Sequence, residues 1–489
     1  VFKVALAALC LTALPTISAP APASVPALVD AYVEQYRAAT GLPGVEVAIT
    51  KGSAVVHAAG YGETAVGEPV TADTPMAMAS VSKSFTALAV MQLAERGKVS
   101  LDEPVRRYLP EFAMADPRAG RITVRQLLHQ TSGMDDSAFH EKSLPQPRDL
   151  RGAVARLRTA RLAAEPGTAY SYHNTNYQVA ARLVEVVSGR PFAAYLDANV
   201  FRPLGMRHSR TVDTDRDLPG SARGHLYVLG RAVAVPEPAG FGNGSGGVLS
   251  TARDMARWLI AQNGGLPVLL SAQGVREMRT PSKQNPGYAL GWGLSETALG
   301  TPVLEHGGDL FTSTAHQLLV PGSGYGVAVM ANTGMAFSDA HTLMAGIVSV
   351  IEGGRPQAPP SMWSLILVDV FFVLLSLVTV GLAVRGVARA RLWASRGAGL
   401  RLWRRSGLWW VWRLVPYVLP AVLCGTVTSV HRVLAHGRDA AWIQLAYLYP
   451  TFMIWLVVAA AAGLAVVVAR LWGVARRRQA TFGAARMPM

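Results

Sequence analysis

Only two cysteines, Cys10 and Cys424, occur in 489 residues. That excludes a disulfide framework, and a chain of this length buries enough surface to fold without one. Lysine is also scarce: Lys3, Lys51, Lys83, Lys98, Lys142 and Lys283 stand against forty arginines. Acidic residues are missing mainly from one region. From Ser361 onward fifteen arginines face two acids, Asp369 and Asp439, a net charge of +13 that leaves +2 for residues 1–360. The basic character therefore belongs to the C-terminal part and gives no argument for a nucleic-acid partner. Glycine and proline, at 47 and 30, are plentiful.

Against this scarcity, one lysine sits in an apolar run. Ser80-Val81-Ser82-Lys83 leads into Phe85-Thr86-Ala87-Leu88-Ala89-Val90, which predicts a helix opening at Ser80 and running through Leu93, with Arg96 and Gly97 as stop signals. Side chains three positions apart lie over the same helix face, so the amine can stand beside the serine hydroxyl. A serine is a poor nucleophile unless a neighbour takes its proton, and a desolvated amine does so without a histidine. Arginine could not, because it does not deprotonate. At a helix start the backbone N–H of Ser80 is also free to meet a developing oxyanion.

Two further stations follow. Tyr172-His173-Asn174 lies between the turn Glu165-Pro166-Gly167-Thr168 and the helical run Tyr177 to Val184, and its tyrosine is placed to relay a proton. His306-Gly307-Gly308 with Asp309 precedes an alternating segment Ala315 to Val320, the turn Pro321 to Gly324 and the apolar strand Tyr325 to Met330, which together read as a hairpin.

With these three stations the chain resembles the serine β-lactamase and penicillin-binding-protein superfamily, in the class C β-lactamase-like branch that includes esterases and D-amino-acid peptidases. The related S-x-x-K, S-D-N and K-T-G set reads here S-V-S-K, Y-H-N and H-G-G. Supporting phrases are Gly60-Tyr61-Gly62, Leu127 to Gly133, Gly246 to Asp254 and Tyr288 to Gly293, and the likeness runs from Val25 to Gly354. It implies a two-lobed α/β (α+β) fold, an antiparallel sheet flanked by helices plus a helical lobe, with the site between them. It also implies catalytic roles for Ser80, Lys83 and Tyr172. Asn174 would position Lys83 or the substrate amide, and His306, Gly308 and Asp309 would line the substrate strand. The oxyanion hole would be the N–H of Ser80 plus that of Asp309, each such donor being worth about 3 kcal/mol. His306 departs from the lysine of true β-lactamases and transpeptidases, which lowers the expectation of β-lactam hydrolysis. The implied substrate is a small-molecule or peptide ester or amide, with no cofactor and no metal. The alternatives are a penicillin-binding DD-peptidase or β-lactamase, and a silent ligand-binding or sensing domain.

Other tempting residues have simpler readings. His129 and His173 are expected as hydrogen-bonded turn residues and not as metal ligands. Ser245, in Gly242-Asn243-Gly244-Ser245-Gly246-Gly247, fails as a nucleophile elbow because Asn243 stands where its first glycine belongs. Thr251 to Asp254 reads as a helix start. Trp292 either lines the cleft or packs. The loops around Asp135, Phe139 and Phe241 are expected to wall the cleft.

Lys3, the apolar stretch Val4 to Leu14 and small residues near Ala19 predict a secretory signal peptide over residues 1–23. Leu9 before Cys10 argues against a lipid anchor. After a hydrolase domain over 25–354 and a Pro-rich linker over 355–362, three membrane spans are expected at 363–384, 408–430 and 442–469. The arginines of 385–407 and 470–489 make those segments cytoplasmic by the positive-inside rule, which leaves the hydrolase domain outside. Asp369, alone and near the outer end of the first span, gives no proton path.

Overall fold

A computed structural model describes residues 24–265, 268–396 and 408–484. The expected signal peptide and residues 397–407 of the basic loop lie outside the described residues. Six antiparallel strands form the central sheet: β1 (Gly44–Lys51), β2 (Ala54–Gly62), β3 (Gly293–Glu296), β4 (Pro302–Asp309), β5 (Thr314–Val320) and β6 (Tyr325–Ala331), in the order β2-β1-β6-β5-β4-β3. The expected hairpin is β5–β6, with Val320 opposite Tyr325.

Strand alternation sorts the side chains onto two faces. Val45, Val47 and Ile49 of β1 and Val327 and Val329 of β6 meet helices α1 (Val25–Thr40) and α5 (Asp339–Ile351). Ala48, Ala328 and Met330 face the other way, into the core that holds α2 (Ser82–Glu95), α3 (Asn174–Ser188) and α4 (Ala252–Gln262). Helix α2 is buried from Ser82 to Leu93, as its all-round apolar sequence requires. Phe85 stacks on Trp258 of α4 at 3.9 Å between ring centroids, and the Trp258 indole N–H donates to Gln317 of β5. Thr251 caps α4 by accepting from Asp254 N, as its sequence indicates.

The helix carrying the lysine starts two residues later than expected. Ala79 takes a left-handed φ of 45°, Ala79–Val81 form a single 3-10 turn, and regular α-geometry begins only at Ser82. It ends at Glu95, with Arg96 as its C-cap and Gly97 at φ 67°.

Among the described residues, three helices are long and apolar enough to cross a membrane: Trp363–Ala388, Trp412–Leu434 and Pro450–Arg476. They fall in α6 (Trp363–Ala388), α8 (Leu408–Leu434) and α10 (Pro450–Ala484), with short helices α7 (Ala390–Arg396) and α9 (Trp442–Leu448) between them. The segment expected as one span over 442–469 is divided at Tyr449, whose φ of −135° is not helical. Pro450 causes the break, since it has no N–H to donate and disfavours helix in the residue before it. The Asp369 carboxylate accepts from two non-ionisable groups, Leu229 N and Thr451 Oγ1, both at 2.6 Å. It ties the Gly224–Val228/Arg231–Val235 hairpin of the sheet domain to α6 and α10.

Candidate active site

Ser80 sits on the turn forced by Ala79. A left-handed alanine costs of order 1–3 kcal/mol and persists only where its surroundings hold it. Two neighbours do so. Met78 N donates to Val248 O on one side, and β4 runs against the other. A Cβ added to Gly308 would stand 2.4 Å from Met78 O and 3.1 Å from Ser80 N. Glycine at 308 therefore lets the strand approach the serine turn closely.

Lys83 reaches back one helical turn from α2. Its Nζ lies 3.0 Å from Ser80 Oγ, 2.9 Å from Asn174 Oδ1 and 2.8 Å from the Ser245 carbonyl oxygen. A neutral amine has two N–H donors and one lone pair. The two carbonyl oxygens can only accept, so they take the donors and leave the lone pair for the Ser80 hydroxyl. Burial of the amine, helped by Lys142 and Arg438 and opposed by Glu141, pushes its pKa down to about 7. The Gly242–Gly247 turn thus contributes a carbonyl and not a nucleophile. Ser245 Oγ bonds to Gly242 O, and Gly244, at φ 79°, packs against Tyr177 O.

The second station comes from the N-terminus of α3. Tyr172 lines the same cleft as Ser80, and burial pushes the pKa of its hydroxyl above the ordinary tyrosine range, so it remains a proton donor. Its ring lies 4.8 Å from Lys83 Nζ. Asn174 is held from behind, since its Nδ2 donates to Glu141 Oε1 at 2.8 Å while Thr175 N and Oγ1 donate to Glu141 Oε2. Burial pushes the Glu141 carboxyl up, but His173, Lys142 and these hydrogen bonds outweigh it and hold it at about 2. His173 is buried between Asp136 (3.4 Å) and Glu141 (3.8 Å). These three side chains bring ligand-type atoms within 4.8 Å of one another. Glu141 accepts three hydrogen bonds from Asn174 and Thr175, and so supports Asn174 from behind.

At the third station His306 and Asp309 reach the cleft. Burial holds the His306 imidazole down at about 3, so it is neutral. Its Nδ1 lies 2.6 Å from Gly307 O and its Nε2 3.2 Å from the Tyr288 hydroxyl; Nδ1–H donating and Nε2 accepting is the tautomer that satisfies both. His306 therefore offers no positive charge where the family's lysine would stand. The Asp309 carboxylate is partly exposed and 3.8 Å from His341.

These residues open into a cleft of about 340 Å³. Phe241 lines it, whereas Trp292 is buried in the core and Phe139 packs against His173. Sequence reasoning missed most of the other walls. Lys142 and Arg156 line one side; on another, Glu237 accepts from Phe311 N and Thr312 N, and burial pushes it up to about 7. Least expected are Arg438 and Gln444, from the segment joining α8 to α10. Arg438 Nη1 donates to Tyr172 O at 2.9 Å and its Nε is 3.6 Å from Asp136, while buried Asp439 accepts from Lys142 N and from Ser143 N and Oγ. One sequence signal existed: Asp439 is one of only two acids after Ser361, and it stands between two spans.

Comparison with known proteins agrees with this arrangement. The sequence model of the Beta-lactamase family matches residues 29–345. Penicillin-binding protein 4 of Amycolatopsis lactamdurans is 31% identical over 350 residues, covering 65% of this chain and 89% of that protein. Esterase EstB of Burkholderia gladioli is 29% identical over 332 residues, covering 59% and 84%. Protein flp of Staphylococcus aureus is 27% identical over 314 residues, and the match spans only 62% of that protein's length and 62% of this chain. Among solved structures, the octameric penicillin-binding protein homologue from Pyrococcus abyssi superposes with a TM-score of 0.60 at 26% identity, covering 70% of this chain and 80% of that one.

Proposed function

The chain belongs to the beta-lactamase family and is a serine hydrolase of the β-lactamase/transpeptidase fold, and from that premise we propose a membrane-anchored enzyme that cleaves a small ester or amide through an acyl-enzyme on Ser80. The observation that carries this is the buried Lys83 amine, whose pKa falls to about 7 and whose Nζ lies 3.0 Å from Ser80 Oγ and 4.8 Å from the Tyr172 ring centroid.

In this reading Ser80 Oγ bonds to the carbonyl carbon as its proton passes to the Lys83 lone pair. The N–H groups of Ser80 and Asp309 receive the oxyanion. The tetrahedral intermediate collapses by breaking the bond to the alcohol or amine, which leaves with a proton supplied through Tyr172 and Lys83. Water then attacks the acyl carbonyl, gives its proton to the same base, and the acid departs as Ser80 regains its hydrogen. Asn174 holds the Lys83 amine in line, and Gly308 keeps β4 close enough for the oxyanion site.

Esterase or peptidase chemistry is favoured over β-lactam hydrolysis by the neutral His306. A penicillin-binding peptidase is the second reading, supported by the 31% identical Amycolatopsis lactamdurans relative. Its mark would be a long-lived adduct with labelled penicillin.

The hydrolase domain is read as residues 25–354 and the apolar helices as its anchor. Two contacts support placing it outside the membrane. The sheet hairpin meets the start of α6 through Asp369, and the segment between α8 and α10 meets the cleft. Both fall at the end of the helices opposite Arg385, Arg389 and Arg470, in keeping with the positive-inside rule. The test is turnover of a neutral short-chain 4-nitrophenyl ester by the full chain in detergent. Hydrolysis lost in Ser80→Ala is expected; folded wild type that is inert toward esters and amides would move the chain to a binding role.

A further inference from the structure

A second cavity, of about 710 Å³, lies among the apolar helices α6, α7, α8 and α10. One end is cationic, formed by Arg385, Arg389, Arg413 and Arg470. The remainder is apolar, with Leu382, Pro420, Trp455 and Ala459 among its walls. Since α6 begins and α8 ends beside the hydrolase domain, late α6, early α8 and late α10 share the opposite end of the bundle. All four arginines stand there.

Arg470 is locked in place. Its Nη1 donates to Arg413 O, its Nη2 donates to the Tyr417 hydroxyl, and its guanidinium lies 4.2 Å from the Tyr417 ring centroid and 4.9 Å from that of Trp393. Its Nε is buried and has no hydrogen-bond partner. None of these partners neutralises its charge. Among the described residues, no carboxylate of the chain lines the cavity. After Ser361 its acids are Asp369, engaged with Leu229 and Thr451, and Asp439, engaged with Lys142 and Ser143, both at the other end of the helices. A fixed cation cluster in a low-dielectric bundle needs a counter-anion. Among the described residues, the lining of the cavity supplies none.

We propose that this cavity is a binding site for an anionic phospholipid of the arginine-side leaflet, its phosphate held by Arg385, Arg389 and Arg470 and an acyl chain lying along the apolar wall. The guanidinium fork suits phosphate oxygens. A free phosphate ion would satisfy the charges but leave the apolar part of the cavity without an occupant. The inference rests on the membrane-spanning reading of the three helices.

The test uses the full chain, extracted in a mild nonionic detergent and stripped of lipid. Phosphatidylglycerol, phosphatidylcholine or inorganic phosphate is then added, and bound lipid is counted by native mass spectrometry alongside the unfolding temperature. The expected result is one retained phosphatidylglycerol that raises the unfolding temperature, with no such effect from phosphatidylcholine. In Arg385→Gln/Arg389→Gln, whose side chains make no hydrogen bond among the described residues, retention should fall roughly tenfold or more. Arg470→Met should do the same but also removes packing, so the double variant is decisive. Equal effects of the two lipids, unchanged retention in the double variant, or full replacement by inorganic phosphate would each overturn the proposal. Recovery of the chain as soluble protein without detergent would instead overturn the membrane reading beneath it.

Discussion

If Lys83 is the base, activity must follow its titration. The fall from the usual 10.5 to about 7 corresponds to roughly 5 kcal/mol in favour of the neutral amine, with burial as the main cause. Only that neutral form has a lone pair for the Ser80 proton. With a pKa near 7, about a tenth of the enzyme is competent at pH 6 and about nine-tenths at pH 8, so kcat/KM should rise roughly tenfold between them and then level off. The assay is initial-rate hydrolysis of a neutral ester, whose own charge does not change. His306, held near 3, and Tyr172, pushed above its ordinary range, do not titrate in this window. Glu237 does, at about 7, and it also lines the cleft. Glu237→Gln is therefore the control, and the midpoint should survive it. A flat profile, a midpoint above about 9, or a midpoint lost in Glu237→Gln would refute the assignment of the base.

The same titration affects stability. The native amine binds its proton less tightly than the unfolded one, so the native state carries fewer protons between about pH 7 and 10.5 and stability should climb across that window; the climb should be absent in Lys83→Met, compared by thermal unfolding. Gly308→Ala puts a Cβ 2.4 Å from Met78 O, and displacement of the Ser80 turn should cost roughly a hundredfold in kcat/KM, while chemical denaturation shows the fold largely intact. Trp258→Ala removes the ring stacked on Phe85 and should cost about 3–5 kcal/mol in the same denaturation experiment. Asp439→Ala leaves the Lys142 and Ser143 amides without their acceptor, and hydrogen exchange should quicken over residues 136–146 and 432–445 with the sheet unaffected.

The parts of the site that sequence could reveal are those set by local spacing. Ser80 and Lys83 lie three residues apart and meet because a helix turn brings them together; the hairpin after Asp309 follows from alternation and its Gly-rich turn. Even there Ala79 moved the helix start, since a left-handed alanine has no sequence signature. The rest of the Lys83 environment comes from afar. Ser245 O is 162 positions away, and Glu141 acts through Asn174. The expected third span starts before the long helix does, because apolar composition continues across Tyr449 although Pro450 breaks the helix. Arg438 could not be assigned to the cleft at all. Its segment looks like an ordinary connection between two apolar helices, and only the packing of that connection on Asp136 and Tyr172 makes it part of the wall.

The central claim is that Ser80 is the nucleophile. The most direct test is intact-mass analysis of the full chain in detergent, wild type and Ser80→Ala, after exposure to a fluorophosphonate that labels activated serines. The account predicts a single adduct on wild type, mapped to Ser80 by peptide analysis, and none on the variant. An unlabelled but folded wild type, or an adduct that persists in Ser80→Ala, would contradict it.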